Sequence, residues 1–372
     1  MPPTTTTGAM RSQLRRHVPT KTGLETNFEL SCPVPLPARD TILLGHGSGG
    51  KLSAELIRDV FLPAFQNPVL ARLDDQAIVN VNGQRLAITT DSFVVKPLFF
   101  PGGDIGSLAV HGTVNDLAMG GATPLFLSAA FIIEEGFSMD ELRRVVNSLR
   151  RAASEAGVQV ITGDTKVVEK GKGDGLFINT TGIGLVPDGV DLSADRALPG
   201  DKVILSGSIG DHGIAILAQR EGLEFETQIQ SDSAALHTLV AEMLGVTRKI
   251  RCMRDPTRGG VSSTLNEIAQ QSEVGIELQE ISLPIHEQVR GACELLGLDP
   301  LYVANEGKLI AIVAPEAAEA VLQAMRHHPL GAEAQIIGTV MKKNAGLVTM
   351  RTPLGTTRVV DMLAGDQLPR IC

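Results

Sequence analysis

From Asp40 onward, short apolar runs alternate with segments whose apolar residues recur at helical spacing, and that alternation restricts the chain to an α/β architecture. Leu86–Thr90, Phe93–Val95, Val158–Ile161 and Leu176–Leu185 read as strands. A helix after Gly50 places Leu52, Leu56, Val60 and Phe61 on one face. Another begins at Asp104, a good N-cap, turns Ile105, Leu108, Ala109, Leu117 and Ala118 inward, and ends at Gly120–Gly121. Ser138 and Glu141 form a capping-box pattern ahead of Leu142, Val145, Val146 and Leu149. After the turn-rich segment Pro187–Asp201 a second set begins: strands at Val203–Ser206, Gly275–Leu278, Leu309–Val313 and Gln335–Val340, and helices at Gly213–Arg220, Gly260–Gln271, His286–Leu296 and Pro315–Arg326. Leu347–Met350 and Thr356–Val360 flank Pro353–Gly355 as a terminal hairpin.

A chain of 372 residues exceeds what one compact core usually holds, so two α/β domains are expected, 39–186 and 187–345, followed by the hairpin and a flexible tail, 346–372. Residues 1–38 are rich in Thr, Pro and Arg, hold no acid before Glu25 and have no apolar h-region, so they read as a disordered extension rather than a secretory signal. Charged residues make up 20% of the chain and no apolar run approaches a membrane span. The net charge of −9 argues against a general nucleic-acid binder but not against a nucleotide carrying its own metal ions. Cys32, Cys252, Cys293 and Cys372 form no C-x-x-C pair and suit the reducing cytoplasm.

Acids and glycines gather in loops and at strand ends: Asp74 and Asp75 in LDDQAIV, Asp91 in TTDSFVV, Asn115 and Asp116 in HGTVNDLAMGG, Asp164 and Lys166 in ITGDTKVV, Asp255 and Arg258 in RDPTRGGV. Carboxylates flanked by apolar strands are costly to bury unless a cation sits among them, and Mg²⁺ on a polyphosphate fits, because it takes a few carboxylates plus phosphate oxygens. GHGSGG (Gly45–Gly50) opens onto a helix, whose free N–H groups favour a phosphate. Taken singly, each feature has a plainer explanation. Asp75 and Asp91 serve as turn residues, Lys166 as a surface lysine, and the arginines of RDPTRGGV as partners of nearby acids. His46, His111 and His212 lack metal-ligand spacing and suit hydrogen bonding, and the internal cysteines suit inert thiols. Only the combination is specific.

That combination, GHGSGGKLS, TTDSFVV, HGTVNDLAMGG, GDTKVVEKG, RDPTRGGV, VANEGKL and a terminal PRIC, resembles the HypE family of hydrogenase maturation proteins from about Thr41 to the end. That family lies in the superfamily of aminoimidazole ribonucleotide synthetase, selenophosphate synthetase and thiamine-phosphate kinase. The resemblance implies the two-domain fold of aminoimidazole ribonucleotide synthetase, with residues 39–186 binding ATP and dimerising. It implies a HypF-type carbamoyltransferase that loads a carbamoyl group on Cys372, ATP-dependent dehydration to a thiocyanate, and a HypC–HypD complex that accepts the cyano group. By resemblance Glu306 is the base, assisted by Lys166. Gly47, Ser48, Gly49, Gly50, Lys51, Asp91, Asn115, Asp116, Asp164, Asp255 and Arg258 face the nucleotide, and Asp74, Asp75, Asp91, Asp116, Asp164 and Asp255 face Mg²⁺. The extension before Asp40 departs from most relatives.

Two rival readings remain open on the residues. A kinase or synthetase acting on a free small molecule explains the aspartates equally well but not the terminal cysteine, and Cys32 lacks the surroundings of a selenophosphate synthetase nucleophile. A scaffold that only presents Cys372 has no use for the acidic clusters.

Overall fold

The chain builds two sheets in succession, each from the segments whose patterning alternates. The first contains β1 (Ala77–Val81), β2 (Gln84–Phe93), β5 (Thr123–Glu134), β6 (Gln159–Val168) and β7 (Leu176–Leu185), in the order β1-β2-β7-β5-β6, antiparallel except for β5 against β6. A two-residue ribbon, β3 (Phe99–Phe100) and β4 (Gly103–Asp104), leads into the helices. The second contains β8 (Lys202–Leu205), β9 (Ile250–Arg254), β10 (Gly275–Gln279), β11 (Ile310–Val313), β12 (Gln335–Met341), β13 (Val348–Arg351) and β14 (Thr357–Val359), in the order β14-β13-β10-β12-β8-β11-β9. This computed structural model describes residues 41–223 and 228–365; the extension 1–38, Cys32, and the tail end from 366 with Cys372 lie outside them. Contacts divide the chain at Ile42, and every element described here belongs to the unit that starts at Leu43.

Nine helices occur among the described residues: α1 (Lys51–Leu56), α2 (Leu62–Phe65), α3 (Ile105–Met119), α4 (Met139–Glu155), α5 (Asp211–Glu221), α6 (His237–Val246), α7 (Gly260–Gln271), α8 (Glu287–Leu296) and α9 (Pro315–His327). Asp104 caps α3 by accepting the Gly106 and Ser107 N–H groups at 2.8 and 3.1 Å, which satisfies two of the orphan donors of the first turn. α3 is apolar and small-residued on nearly every side because it lies between β2 and β7 below and α4 beside it. Along β7 buried and half-buried residues alternate strictly, so one face packs on α3 and the other, bearing Phe177, Asn179, Thr181 and Ile183, stays half-buried with no helix among the described residues laid over it.

The turn-rich segment 187–201 is packed, with Val190, Leu192, Ala194 and Ala197 buried. Val190 and Leu192 share one core with Ala87 and Leu117 of the first half and Ile204, Ala311 and Val321 of the second. The helix after Gly50 breaks into a π turn at Ile57–Phe61, and only Leu52 of the expected apolar face is buried, with Val60 and Phe61 about half exposed. β5, β9 and α6 had no distinct sequence signature, since β5 carries Pro and small residues and β9 alternates arginine with buried Cys252 and Met253.

Candidate active site

Five acids converge where the first sheet meets the loops of the second. Asp91 projects from β2 toward α3, Asp116 from α3 itself, Asp75 from the turn before β1, Asp255 from the loop after β9, and Glu306 from the loop before β11. Thr89 donates to Asp116 Oδ2 at 2.7 Å and lies 3.0 Å from the Asp75 carbonyl, tying β2, α3 and that turn together. Arg254 ion-pairs with Asp75 at 2.7 Å and with Glu267 at 2.8 Å, both largely withdrawn from solvent, so the first arginine of RDPTRGGV acts as the acids' partner.

The electrostatics of the cluster show that it wants positive charge. Burial, against the pull of Arg254, pushes the Asp255 carboxyl up to about 6. Burial first, then the mutual repulsion of Asp255, Asp91 and Asp75, raises Asp116 well above the ordinary carboxylate range. Burial raises Asp75 and Asp91, with Arg254 and Arg258 respectively opposing. Burial and the negative charges of Asp255, Asp91 and Asp232 raise Glu306. Asp75 Oδ2 and Glu306 Oε1 are buried without a hydrogen-bond partner, a costly state that a ligand would relieve. Among the described residues no three of these groups already close around an ion.

The motif VANEGKL is built around Glu306. Asn305 donates to the Pro256 and Val303 carbonyls at 3.0 Å and accepts the Gly210 N–H at 2.7 Å, fastening the Asp255–Arg258 loop to the Glu306 segment. The lysine of the motif, Lys308, pairs with Asp232 at 3.2 Å. Asp232 is the site residue that sequence reading missed; it sits in an SDSAAL stretch with no motif of its own.

Several expected ligands are engaged elsewhere. Asp74 accepts from the Ala194 N–H at 3.0 Å and Ser193 at 3.2 Å and pairs with Arg72 at 3.2 Å, so both oxygens latch the turn at 193–194 rather than face an ion. Asn115 is fully buried; it donates to the Ala234 and Glu306 carbonyls at 3.0 and 3.1 Å and accepts the Leu236 N–H at 2.8 Å, so both its donors serve the chain and not a nucleotide. Asp164 and Lys166 pair with each other on the exposed edge strand β6. The register Asp91–Thr180–Ala129–Gly163 puts Asp164 one residue out of Asp91's row, on the opposite sheet face and three strands away, about 14 Å at the usual strand spacing. A single chain therefore does not bring Lys166 to Glu306.

The glycine loop likewise serves its own chain. The Lys51 N–H at the start of α1 donates to the Leu363 carbonyl at 2.8 Å, Lys51 Nζ pairs with Asp361 at 2.5 Å, and Ser48 Oγ lies 2.9 Å from the Gly365 carbonyl. The Gly49 N–H donates to Ser53 Oγ at 3.0 Å. Gly49 has a positive φ of 75°, and a Cβ there would overlap the Arg258 backbone, while Arg258 donates to the Gly47 carbonyl at 3.1 Å. The Lys51 N–H and the Ser48 hydroxyl thus hold the root of the C-terminal tail, while the Gly49 N–H is spent on Ser53. His46, His111 and His212 have the hydrogen-bonding roles expected of them, with Leu43, Ser233 and Ser231. Cys252 and Cys293 are free, buried thiols, the latter pushed up to about 11 by burial, which disfavours the reactive thiolate.

Residues 73–186 match the family of AIR synthase related proteins, N-terminal domain, and residues 199–350 that of the C-terminal domain. The chain is 61% identical over 327 residues to the carbamoyl dehydratase HypE of Azotobacter vinelandii, covering 88% of this chain and 96% of the relative. It is 46% identical to that of Escherichia coli K12, covering 90% of this chain and all of the relative. A crystal structure of hydrogenase maturation protein HypE in complex with ATP superposes with a TM-score of 0.76 at 53% identity, covering 89% of this chain and 100% of that one. A HypE–HypF complex gives 0.79 at 51% identity over 83% and 99%. Thiamine monophosphate kinase from Aquifex aeolicus, 19% identical with a TM-score of 0.60, shares the fold. With such identity along nearly the whole length of these relatives, the chain belongs to the HypE family of carbamoyl dehydratases.

Proposed function

We propose that this chain uses ATP to dehydrate a carbamoyl group carried on its own Cys372, giving a protein thiocyanate for the iron centre of [NiFe] hydrogenase. The observation that carries the reading is the buried Glu306 Oε1, which has no hydrogen-bond partner, in a site whose Arg258 holds the glycine loop on which the tail root is docked. Cys372 is the seventh residue after Gly365, a stretch that spans about 25 Å when extended, so the thiol can visit both this site and an external carbamoyltransferase of the HypF type. Tethering supplies a high local concentration of the reacting group.

A thiocarbamate oxygen is a poor leaving group. Transfer of the γ-phosphoryl of ATP to it makes a phosphate that departs as the C≡N bond forms, while two protons leave nitrogen. Glu306, held basic by burial and by neighbouring negative charge, is placed to take one of them. Asp75, Asp91, Asp116 and Asp255 would hold Mg²⁺, which supplies charge neutralisation to the polyphosphate. Arg258, which acts electrostatically on Asp91 and Glu306, adds a fixed positive charge beside the transferred group.

The uncovered face of the first sheet and its exposed edge β6 support a homodimer, in which Asp164 and Lys166 serve the partner's site. A HypC–HypD complex is the acceptor of the cyano group in this reading. No helix among the described residues is long and apolar enough to cross a membrane, and the two buried internal thiols suit the cytoplasm. Intact-mass analysis after incubation with the carbamoyltransferase, carbamoyl phosphate and MgATP tests the proposal. The chain should first gain a carbamoyl group and then lose one water, both at the peptide ending in Cys372. A carbamoylated chain that keeps its water with ATP present, or a cyano group on another cysteine, would overturn it.

A further inference from the structure

Glu306 differs from the other acids of the site in how its backbone is held. Its N–H donates to Asp232 Oδ1 at 3.0 Å, and its carbonyl accepts from Asn115 Nδ2 at 3.1 Å. Both partners are side chains, and they are linked. Asn115 also holds the Ala234 carbonyl and the Leu236 N–H, so the strap Ser231–Leu236 is fixed to α3 on the far side of the Asp232 contact. The strap is anchored at its start as well: the Ser231 N–H donates to the Pro101 carbonyl at 2.8 Å, and Ser231 Oγ accepts the Ser233 N–H at 3.1 Å. Asp232 is 4% exposed, and its second oxygen faces Lys308 Nζ at 3.2 Å. A Cβ at Gly307 would overlap the Asp232 carbonyl, so the strap rests directly on the backbone of the NEGK segment. A buried carboxylate is expensive, and this one is balanced by one lysine and used on one amide.

We propose that Asp232 is a positioning residue for the dehydration, fixing the Glu306 peptide so that the base's carboxyl points into the site, with Lys308 orienting Asp232. The inference rests on the reading of Glu306 as the base. The glutamate emerges from a loop, not from a helix or strand, so its direction is not set by secondary structure. Two side-chain hydrogen bonds, one to each peptide group flanking Glu306, replace that constraint. They leave the Glu306 side chain without any hydrogen bond to Oε1, which keeps the oxygen available for a proton. A misplacement of about 1 Å in a reacting group can cost on the order of a hundredfold in rate without weakening ground-state binding. Asp232 touches neither the thiocarbamate nor the nucleotide in this scheme; its effect passes through the backbone of Glu306.

The test is single-turnover dehydration of the carbamoylated full-length chain with saturating MgATP, with nucleotide affinity and melting temperature measured alongside. Glu306→Gln is run first, because a normal rate in that variant removes the base reading and leaves the role of Asp232 without an object. With Glu306→Gln inactive, Asp232→Ala should lower the rate constant by about ten- to a hundredfold while leaving MgATP affinity unchanged. Asp232→Asn, whose amide oxygen can still accept the Glu306 N–H, should recover most of that loss. If Asp232→Ala fails to fold, Asp232→Ser, too short to reach the amide, carries the same expectation. A wild-type rate constant in Asp232→Ala overturns the proposal. So does an Asp232→Asn variant as slow as the alanine one, and so does a loss of nucleotide affinity and stability that matches the loss of rate.

Discussion

Glu306 and Asp255 show how one residue's surroundings decide what it can do. Burial and like charge keep the Glu306 carboxyl basic, so Glu306→Gln, which preserves volume, should slow dehydration by about 10²–10⁴-fold, the usual worth of a general base. Carbamoylated chain should accumulate with ATP present, and calorimetry should find MgATP binding unchanged within a few-fold. Asp255 gives a stability prediction. Its carboxyl titrates at about 6 in the folded protein and near 3.9 in an unfolded chain. The folded state therefore keeps the proton longer, and stability falls as pH rises from about 4 through 6. At pH 8 the metal-free protein carries a penalty on the order of 3 kcal/mol from this group. Thermal melts of wild type and Asp255→Asn should nearly coincide at pH 4 and separate above pH 6, the asparagine variant being the more stable. MgATP should close the gap by stabilising only the wild type, and a gap that is constant with pH would show that Asp255 is not held neutral by the cluster.

At the scale of elements, the glycine loop and the tail root form one joint. A Cβ at Gly50 would overlap the Leu363 carbonyl, the acceptor that caps α1. Gly50→Val should therefore lift residues 361–365 from the loop. We expect carbamoyl loading on Cys372 to proceed at its usual rate and dehydration to fall about tenfold or more, because loading takes place outside and dehydration needs the docked root. Mass spectrometry that follows both steps checks this; equal slowing of the two would point to a folding defect. This joint also marks the limit of what the sequence displays. The helices from Ile105, Gly260 and Pro315 were legible because their apolar period, N-caps and Pro at N1 are local signals. The acids of the site were legible because buried carboxylates between apolar strands need an explanation. The direction in which each polar group spends its hydrogen bonds was not legible. Asn115, Asp74 and Ser48 have the chemistry of ligands, yet each has a partner between 119 and 317 residues away in sequence that no local pattern names. Asp232 stayed hidden for the same reason.

At the scale of the whole molecule, the first sheet has half a core. Its inner face is filled by α3, while the outer face presents Phe177, Ile183 and Ile132 among Thr90, Asn179 and Thr181 with no helix among the described residues laid over it. Sheets with one mixed face either stay solvated or pack on a second sheet, and edge strand β6 continues this face with Lys166 beside Ile132 and Asp164 beside Ala130. Lys166 stands on that strand, on the opposite sheet face from Asp91, so a site that needs both Lys166 and Glu306 draws them from two copies. Subunit mixing tests this directly. Homodimers of Lys166→Ala and of Glu306→Gln should each be inactive. In a mixed dimer one site would carry both changes and the other neither, so random reassociation of equal amounts should restore about a quarter of the wild-type rate. If Lys166 acted within its own chain, both sites of the mixed dimer would carry one change each and no activity would return. Phe126→Glu with Ile183→Lys, a cross-strand pair on the open face that is not paired with Asp164 or Lys166, should give a monomer by sedimentation, with nucleotide turnover lost although Asp91, Asp255 and Glu306 are intact. A monomer that dehydrates its own tail at the normal rate would instead place Lys166 outside the chemistry.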